Sequence, residues 1–387
     1  MAHLPWTARR FAEALTVALV IFGVPGEVGH TRGSSAACEG WTGVQPPSPG
    51  AVTNALTGAA VLSRCDAWAV GSDASLQGGQ TLIEHWNGSA WTVVASPDPG
   101  NGGNFLIDVS ALAPGNIWAV GEYVTAGLEK TLILHWNGTS WRQVPSPSPG
   151  STSNLLTGIS AVSAADAWAV GYYSSDTNDH TLILHWNGAK WTRVPSPNPG
   201  PSDELAGVAA ISGASAWAAG SSGSSPFAPA RPLILRWNGT SWKPVTAPGP
   251  GSSSKLSSVA AISAGNAWAA GSTSNRAGAQ TLILHWYGTR WTRTASPNPG
   301  STHDDFLNGM AVTSARNAWA VGAFSTGVGD ESFILHWTGS EWEHVASPHP
   351  GTSNDLSGIA SSSSTSAWAV GAFDIGGVDH TFAIHCC

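Results

Sequence analysis

The chain has 387 residues, a formal net charge of −8, and only 10% charged residues, against about 25% in an ordinary globular chain. Its 46 Gly and 25 Pro exclude a mostly helical protein, because these residues are the poorest helix formers. The 42% hydrophobic content and 21 Trp exclude a disordered chain, and no run of the sequence makes the basic stripe of a nucleic-acid binder.

At the N-terminus, Arg9 and Arg10 precede an apolar run from Ala14 to Val24. Its 11 residues are too few for a bilayer, which needs about 20. Ser35-Ala36-Ala37 supplies small residues for cleavage, so residues 1–37 read as a secretory signal peptide and the mature chain carries no transmembrane segment. Arg9-Arg10-Phe11 leaves a twin-arginine signal open, and Cys38 leaves a lipid anchor open. The protein is expected outside the cell or at its surface.

From there the chain repeats itself. Asp66-Ala-Trp-Ala-Val-Gly71 recurs around Trp68, Trp118, Trp168, Trp217, Trp268, Trp319 and Trp368, at spacings of 49 to 51 residues. We number the repeats 1 to 7 after these tryptophans. A second block follows each, at its cleanest Thr131-Leu-Ile-Leu-His-Trp-Asn-Gly-Thr-Ser-Trp141, and then a Pro-rich stop such as Ser196-Pro-Asn-Pro-Gly200. Each repeat predicts four short strands, in repeat 3 Leu156 to Ser163, Ala167 to Gly171, Thr181 to Trp186 and Trp191 to Pro195. Asn187-Gly188 predicts a type I′ hairpin turn. Leu182, Ile183 and Leu184 make strand three apolar on both faces, which suits a sheet packed between two neighbours. Every tryptophan after Trp6 falls on a repeat position, which makes Trp a packing residue here.

Repeat 7 stops at Cys386-Cys387 without its hairpin or fourth strand, and Cys38-Glu-Gly-Trp41 at the other end supplies the missing piece. Such a split suits a ring closed by its N-terminal strand: an all-β, seven-bladed β-propeller of about 50 residues per blade, with residues 38–387 forming one domain. The repeat alignment brings Cys38 beside Cys387, with Cys386 one step away, and predicts a disulfide from Cys38 to one of the two. Cys65 is expected as a free, fairly buried thiol.

The repeat resembles kelch and galactose-oxidase-type propeller repeats. The glycine ending strand two and a Trp six residues after a ring-bearing position (His135, Trp141) both fit. It departs from them in having one Gly and in placing His135 where kelch repeats carry Tyr. The hairpin also resembles the Asp-box of sialidase-like propellers, with Gly138 three residues before Trp141, although Trp136 holds the place of the Asp. The chain is similar above all to functionally undefined bacterial secreted propellers with Trp-Ala-Val-Gly and His-Trp-Asn-Gly repeats. The resemblance spans residues 38–387 and implies a fold, not an activity.

Function then falls to residues that differ between repeats. His85, His135, His185, His285, His336 and His385 recur one per repeat, so they read as structural rather than as metal ligands, and no cofactor is expected. Asp66 and Asp166 alternate with Asn and Ser, which suggests turn capping. The loops between strands two and three and those leading to the next repeat share one face. They hold the ligand-binding candidates Asp176, Asp179, His180, Asp203, Glu204, Arg231, His303, Asp304, Asp305 and Asp355. Glu84 stands where the other repeats have Leu134 or Leu184, and a buried carboxylate needs a partner. The expectation is a monomeric binding module for a glycan or an extracellular protein. A carbohydrate-active hydrolase, lyase or epimerase and a structural or adhesive scaffold are the alternatives.

Overall fold

The structure, a computed structural model, describes residues 40–75, 78–175, 178–225, 228–300 and 304–386. The expectations placed on residues 1–37, Cys38, Asp176, His303 and Cys387 lie outside them. Among the described residues there is no helix, and 28 strands build antiparallel arrays of four. Five are separate sheets, and repeats 3 and 4 share an eight-stranded sheet through a single parallel bridge from Asp179 to Ser202.

Repeat 3 shows the pattern: strands Ser153–Ser163, Asp166–Ser175, Asn178–Trp186 and Trp191–Arg193 pair in order. Strands two and three are longer than the sequence predicts, since the ladder continues through Tyr173 opposite His180 to Ser175 opposite Asn178. Polar side chains there disguise a backbone that stays fully paired. The hairpin from Trp186 to Trp191 is also not type I′. It has four loop residues, Gly188 alone takes a positive φ, of 89°, and Asn187 Oδ1 accepts the amides of Ala189 and Lys190. The asparagine acts through its side chain.

The glycine that ends each Trp-Ala-Val-Gly block is dictated by close approach. A Cβ on Gly171 would lie 2.0 Å from the Leu155 carbonyl oxygen, because strand one bulges at Thr157. The bulge residue serves the ring as well: Thr157 Oγ1 donates to Val170 O at 3.2 Å and to Leu205 O of the next repeat at 2.7 Å.

The core is divided among the boundaries between repeats. Six of the seven central tryptophans pack on two tryptophans of the following repeat, as Trp168 does on Trp237 at 4.9 Å and on Trp242, edge to face, at 5.2 Å. The array closes on itself. Trp368 packs on Trp86 and Trp91 of repeat 1, and Asn54 Nδ2 donates to Asp379 O at 2.9 Å. As the split repeat predicts, the N-terminal segment completes repeat 7. Thr42 and Gly43 pair with His385 and Ile384, Trp41 meets Trp319 at 5.4 Å, and Gln45 Nε2 donates to Thr381 O at 2.9 Å. Cys65, by contrast, is a free thiol but an exposed one, because the turn it occupies ends at the surface. No helix of the described residues is long and apolar enough to cross a membrane.

Candidate functional site

The repeated histidines are structural. His85 Nε2 donates to Asp66 Oδ1, and His185 Nε2 to Asp166 Oδ1, both at 2.9 Å. Asp66 and Asp166 therefore hold a histidine instead of capping a turn. Each ring also lies against the central tryptophan of its repeat, closest for His285 on Trp268 at 3.6 Å. Burial lowers the pKa of His285 to about 4, which keeps the ring neutral.

Strand one begins, and strand two ends, at the same end of every repeat, as Ser153 opposite Ser174 shows. Three successive rows run around that end. The row Asn54, Asn104, Asn154, Asp203, Ser254, Asp305 and Asn354 is buried throughout. It clamps the incoming loop: Gly150 N donates to Asn154 Oδ1, Gly200 N to Asp203 Oδ2 at 2.9 Å, and Gly300 N to Asp305 Oδ1 at 3.0 Å. Asp203 and Asp305 thus do the work of asparagines, and desolvation raises both pKa values. Two rows on, Leu56 and its six equivalents are all leucine and all buried. Between these two rows lies one that changes from each repeat to the next: Ala55, Phe105, Leu155, Glu204, Lys255, Phe306 and Asp355.

The candidates predicted from sequence divide accordingly. Asp179 is buried within a strand and accepts from Ser174 Oγ at 2.5 Å and Ser202 Oγ at 3.2 Å. Asp304 Oδ1 accepts from Ala279 N at 2.6 Å. Both join one repeat to the next. His180 is also a strand residue. It stacks on Tyr173 at 5.1 Å and bonds Ser175 Oγ at 3.1 Å. Arg231 is exposed and donates to Gly249 O. Glu204 and Lys255, from adjacent repeats, line one small recess of about 10 Å³. Asp355 accepts from Asn308 Nδ2 of the preceding repeat at 3.0 Å.

Three functional-looking acids escaped the sequence reading. Asp108 stands where five repeats have glycine, at a point so tight that a Cβ on Gly58 would lie 2.8 Å from its Cα. Its carboxylate accepts from Val109 N and Ile159 N, yet desolvation outweighs those bonds and raises its pKa to about 7. Glu122 is buried, and its Oε2 has no partner among the described residues. Burial first, and then Glu129, raises its pKa to about 8. Glu129 itself accepts from Ser153 Oγ. The Tyr172 hydroxyl belongs to the same acidic group, its pKa raised by burial and then by Glu204, Glu122, Glu129 and Asp179. A comparison of repeats could have flagged each, as Asp108 against glycine and Glu122 against serine or alanine. Their proximity to Tyr172 and Glu204 could not be read, because those residues come from the next two repeats.

Comparison with known proteins completes the picture. No protein-family model and no curated protein matches the chain. Among solved structures it is similar to YCF48 bound to D1 peptide, at 16% identity and a TM-score of 0.55 over 89% of this chain and 94% of that one. It is also similar to the GH74 xyloglucanase from Xanthomonas campestris, at 14% identity and a TM-score of 0.51, over 85% of this chain and 53% of that one. The extracellular domain of BT4673 from B. thetaiotaomicron is similar at 10% identity and a TM-score of 0.53, over 89% of this chain and 40% of that one. These neighbours are β-propellers. The chain is a β-propeller. In a propeller the first strand of each blade is the innermost, and the row from Ala55 to Asp355 lies near the start of that strand in every repeat.

Proposed function

We propose that residues 38–387 form an exported, monomeric, seven-bladed β-propeller with kelch-like repeats, which binds a glycan or an extracellular protein through the face carrying the variable row. The observation that carries this reading is the contrast between rows. A clamp row and a leucine row repeat in all seven repeats, while the row between them carries phenylalanine, glutamate, lysine and aspartate in different repeats. Diversity in a row flanked by two repeated ones is what recognition requires and stability does not. The neighbours support a binding role in general: one was solved with a peptide bound, another is a xyloglucanase. Of the sequence candidates, Glu204 and Asp355 remain in the proposed site, and Lys255, Phe105 and Phe306 join them. Asp179, Asp203, Asp304 and Asp305 support the scaffold.

Glycan and peptide arrays probed with residues 38–387 test this. The paired substitution Glu204→Gln and Lys255→Ala, or Phe306→Ala alone, is expected to lower the strongest signal roughly tenfold, the scale of a lost charged hydrogen bond or buried anchor. Melting should barely change. Signal that survives both variants places recognition elsewhere.

The same reading closes the ring covalently. Cys386 is buried at the end of the strand that Thr42 joins. Non-reducing peptide mapping is expected to link it, or Cys387, to Cys38. A free or lipidated Cys38, or a bond between Cys386 and Cys387, would contradict closure.

A further inference from the structure

Repeat 4 departs from the others at the end opposite the variable row. Where six repeats have histidine it has Arg236, and where five have Asp or Asn it has Ser215. The histidine bond is lost, and the Ser215 hydroxyl is buried with no partner among the described residues. An open cleft of about 420 Å³ occupies the boundary between repeats 4 and 5, lined by Ser215, Arg236, Trp237, Asn238 and Lys243 among others. That volume suits a small ligand or one to two sugar rings.

The cleft is electrostatically incomplete. Arg236 and Lys243 are directly opposite on paired strands, an arrangement that costs stability when the charges are alike. No ion pair is found for either among the described residues. The Arg236 guanidinium is held between Trp217 at 5.1 Å and Trp286 at 5.7 Å, and it makes one long hydrogen bond, 3.5 Å, to Ala264 O. The aromatic faces orient the planar fork and leave donors toward the cleft. The surroundings reinforce the charge. The hairpins and outer strands of repeats 3 and 5 add Lys190, Arg193, Arg290 and Arg293, all exposed, and residues 187–194, 238–245 and 287–294 contain no Asp or Glu. An acidic chain thus carries a basic edge, assembled from residues about 50 positions apart in sequence.

We propose that this cleft binds the carboxylate of an acidic, uronate-type polysaccharide. A uronate needs a cationic clamp for its carboxylate, hydroxyl partners and an apolar surface for the sugar ring. Arg236 with Lys243, Ser215 with Asn238, and the half-exposed Trp237 ring supply these in turn. Further carboxylates along the polymer meet the basic residues of repeats 3 and 5. The site is distinct from the variable row and does not rest on it.

Calorimetric titration of residues 38–387 with oligogalacturonate tests the proposal, with a neutral gluco-oligosaccharide, polyglutamate and a DNA oligonucleotide as the other arms. Saturable oligogalacturonate binding is expected, weakened by added salt and weakened roughly tenfold or more by Lys243→Thr. The double substitution Arg236→His with Ser215→Asn should have the same effect. It rebuilds the bonded pair seen as His285 and Asn266 in repeat 5, so folding is preserved, and an unchanged melting temperature verifies it. Absence of saturable binding overturns the proposal, as does binding that survives the double substitution. Equal or tighter binding of the neutral sugar, polyglutamate or DNA overturns the uronate assignment.

Discussion

Replacing Glu84 with leucine raises the melting temperature at pH 9 by far more than at pH 5. Glu84 is fully buried, and neither carboxylate oxygen has a partner among the described residues. The sequence calls for a partner, but its surroundings are apolar. Its equivalents Leu134 and Leu184 pack against Ile83 and Ile133 of the preceding repeat. By the same register Glu84 enters the boundary between repeats 7 and 1, where the corresponding residue is Ala383. Burial raises its pKa from 4.5 to about 8. Between those values the folded chain holds a proton that the unfolded chain has released, so the stability contributed by protonated Glu84 falls as pH rises through this window and is gone above about 8. At about 1.4 kcal/mol per pH unit the loss is of the order of 5 kcal/mol. Glu122, raised to about 8, acts with the same sign, so Glu84→Leu removes part of the pH dependence and adding Glu122→Gln removes more. Circular-dichroism melts at both pH values decide it. If wild type and Glu84→Leu lose the same number of degrees between pH 5 and pH 9, the buried carboxylate is not the cause.

Trp168→Ala is expected to cost about 3–5 kcal/mol, a large part of a typical domain's stability. The ring is 1% exposed. It stands between His185 of its own repeat, at 4.3 Å, and Trp237 and Trp242 of the next. Its removal therefore leaves a cavity at a boundary whose backbones are held by hydrogen bonds and cannot collapse. Trp186→Ala should cost less, because that ring is half-exposed, although it forfeits a bond from Nε1 to Ala164 O. Urea denaturation of the two variants measures both losses. A loss below about 1 kcal/mol for Trp168→Ala would remove the tryptophans from the centre of the fold.

How much of this was legible beforehand differs by residue. The repeats, their four strands, the packing role of tryptophan and the joining of the two chain ends all follow from sequence. Each depends on patterns within one repeat or on aligning the repeats with one another. The pairing of Thr42 with His385 could be anticipated because repeat 7 lacks what residues 38–50 contain. The strand ends were misjudged, since Asp179 and His180 have the composition of a loop while their backbone is paired to the tip.

The sites were less legible still. Asp203 and Asp305 look like a binding site in sequence and are loop clamps in space, because their partners are the glycine amides of their own incoming loops. Asp108, Glu122 and Arg236 look like scatter in a repeat, and each acquires meaning only from what surrounds it in space. The sequence by itself determined the unit and its closure, because strand period, turn residues and tryptophan spacing are local. Only the tertiary structure decided which acids are buried without partners, which candidate acids clamp loops and what surrounds Arg236. Those properties arise between side chains about 50 residues apart, and desolvation and charge depend on distance through space rather than along the chain.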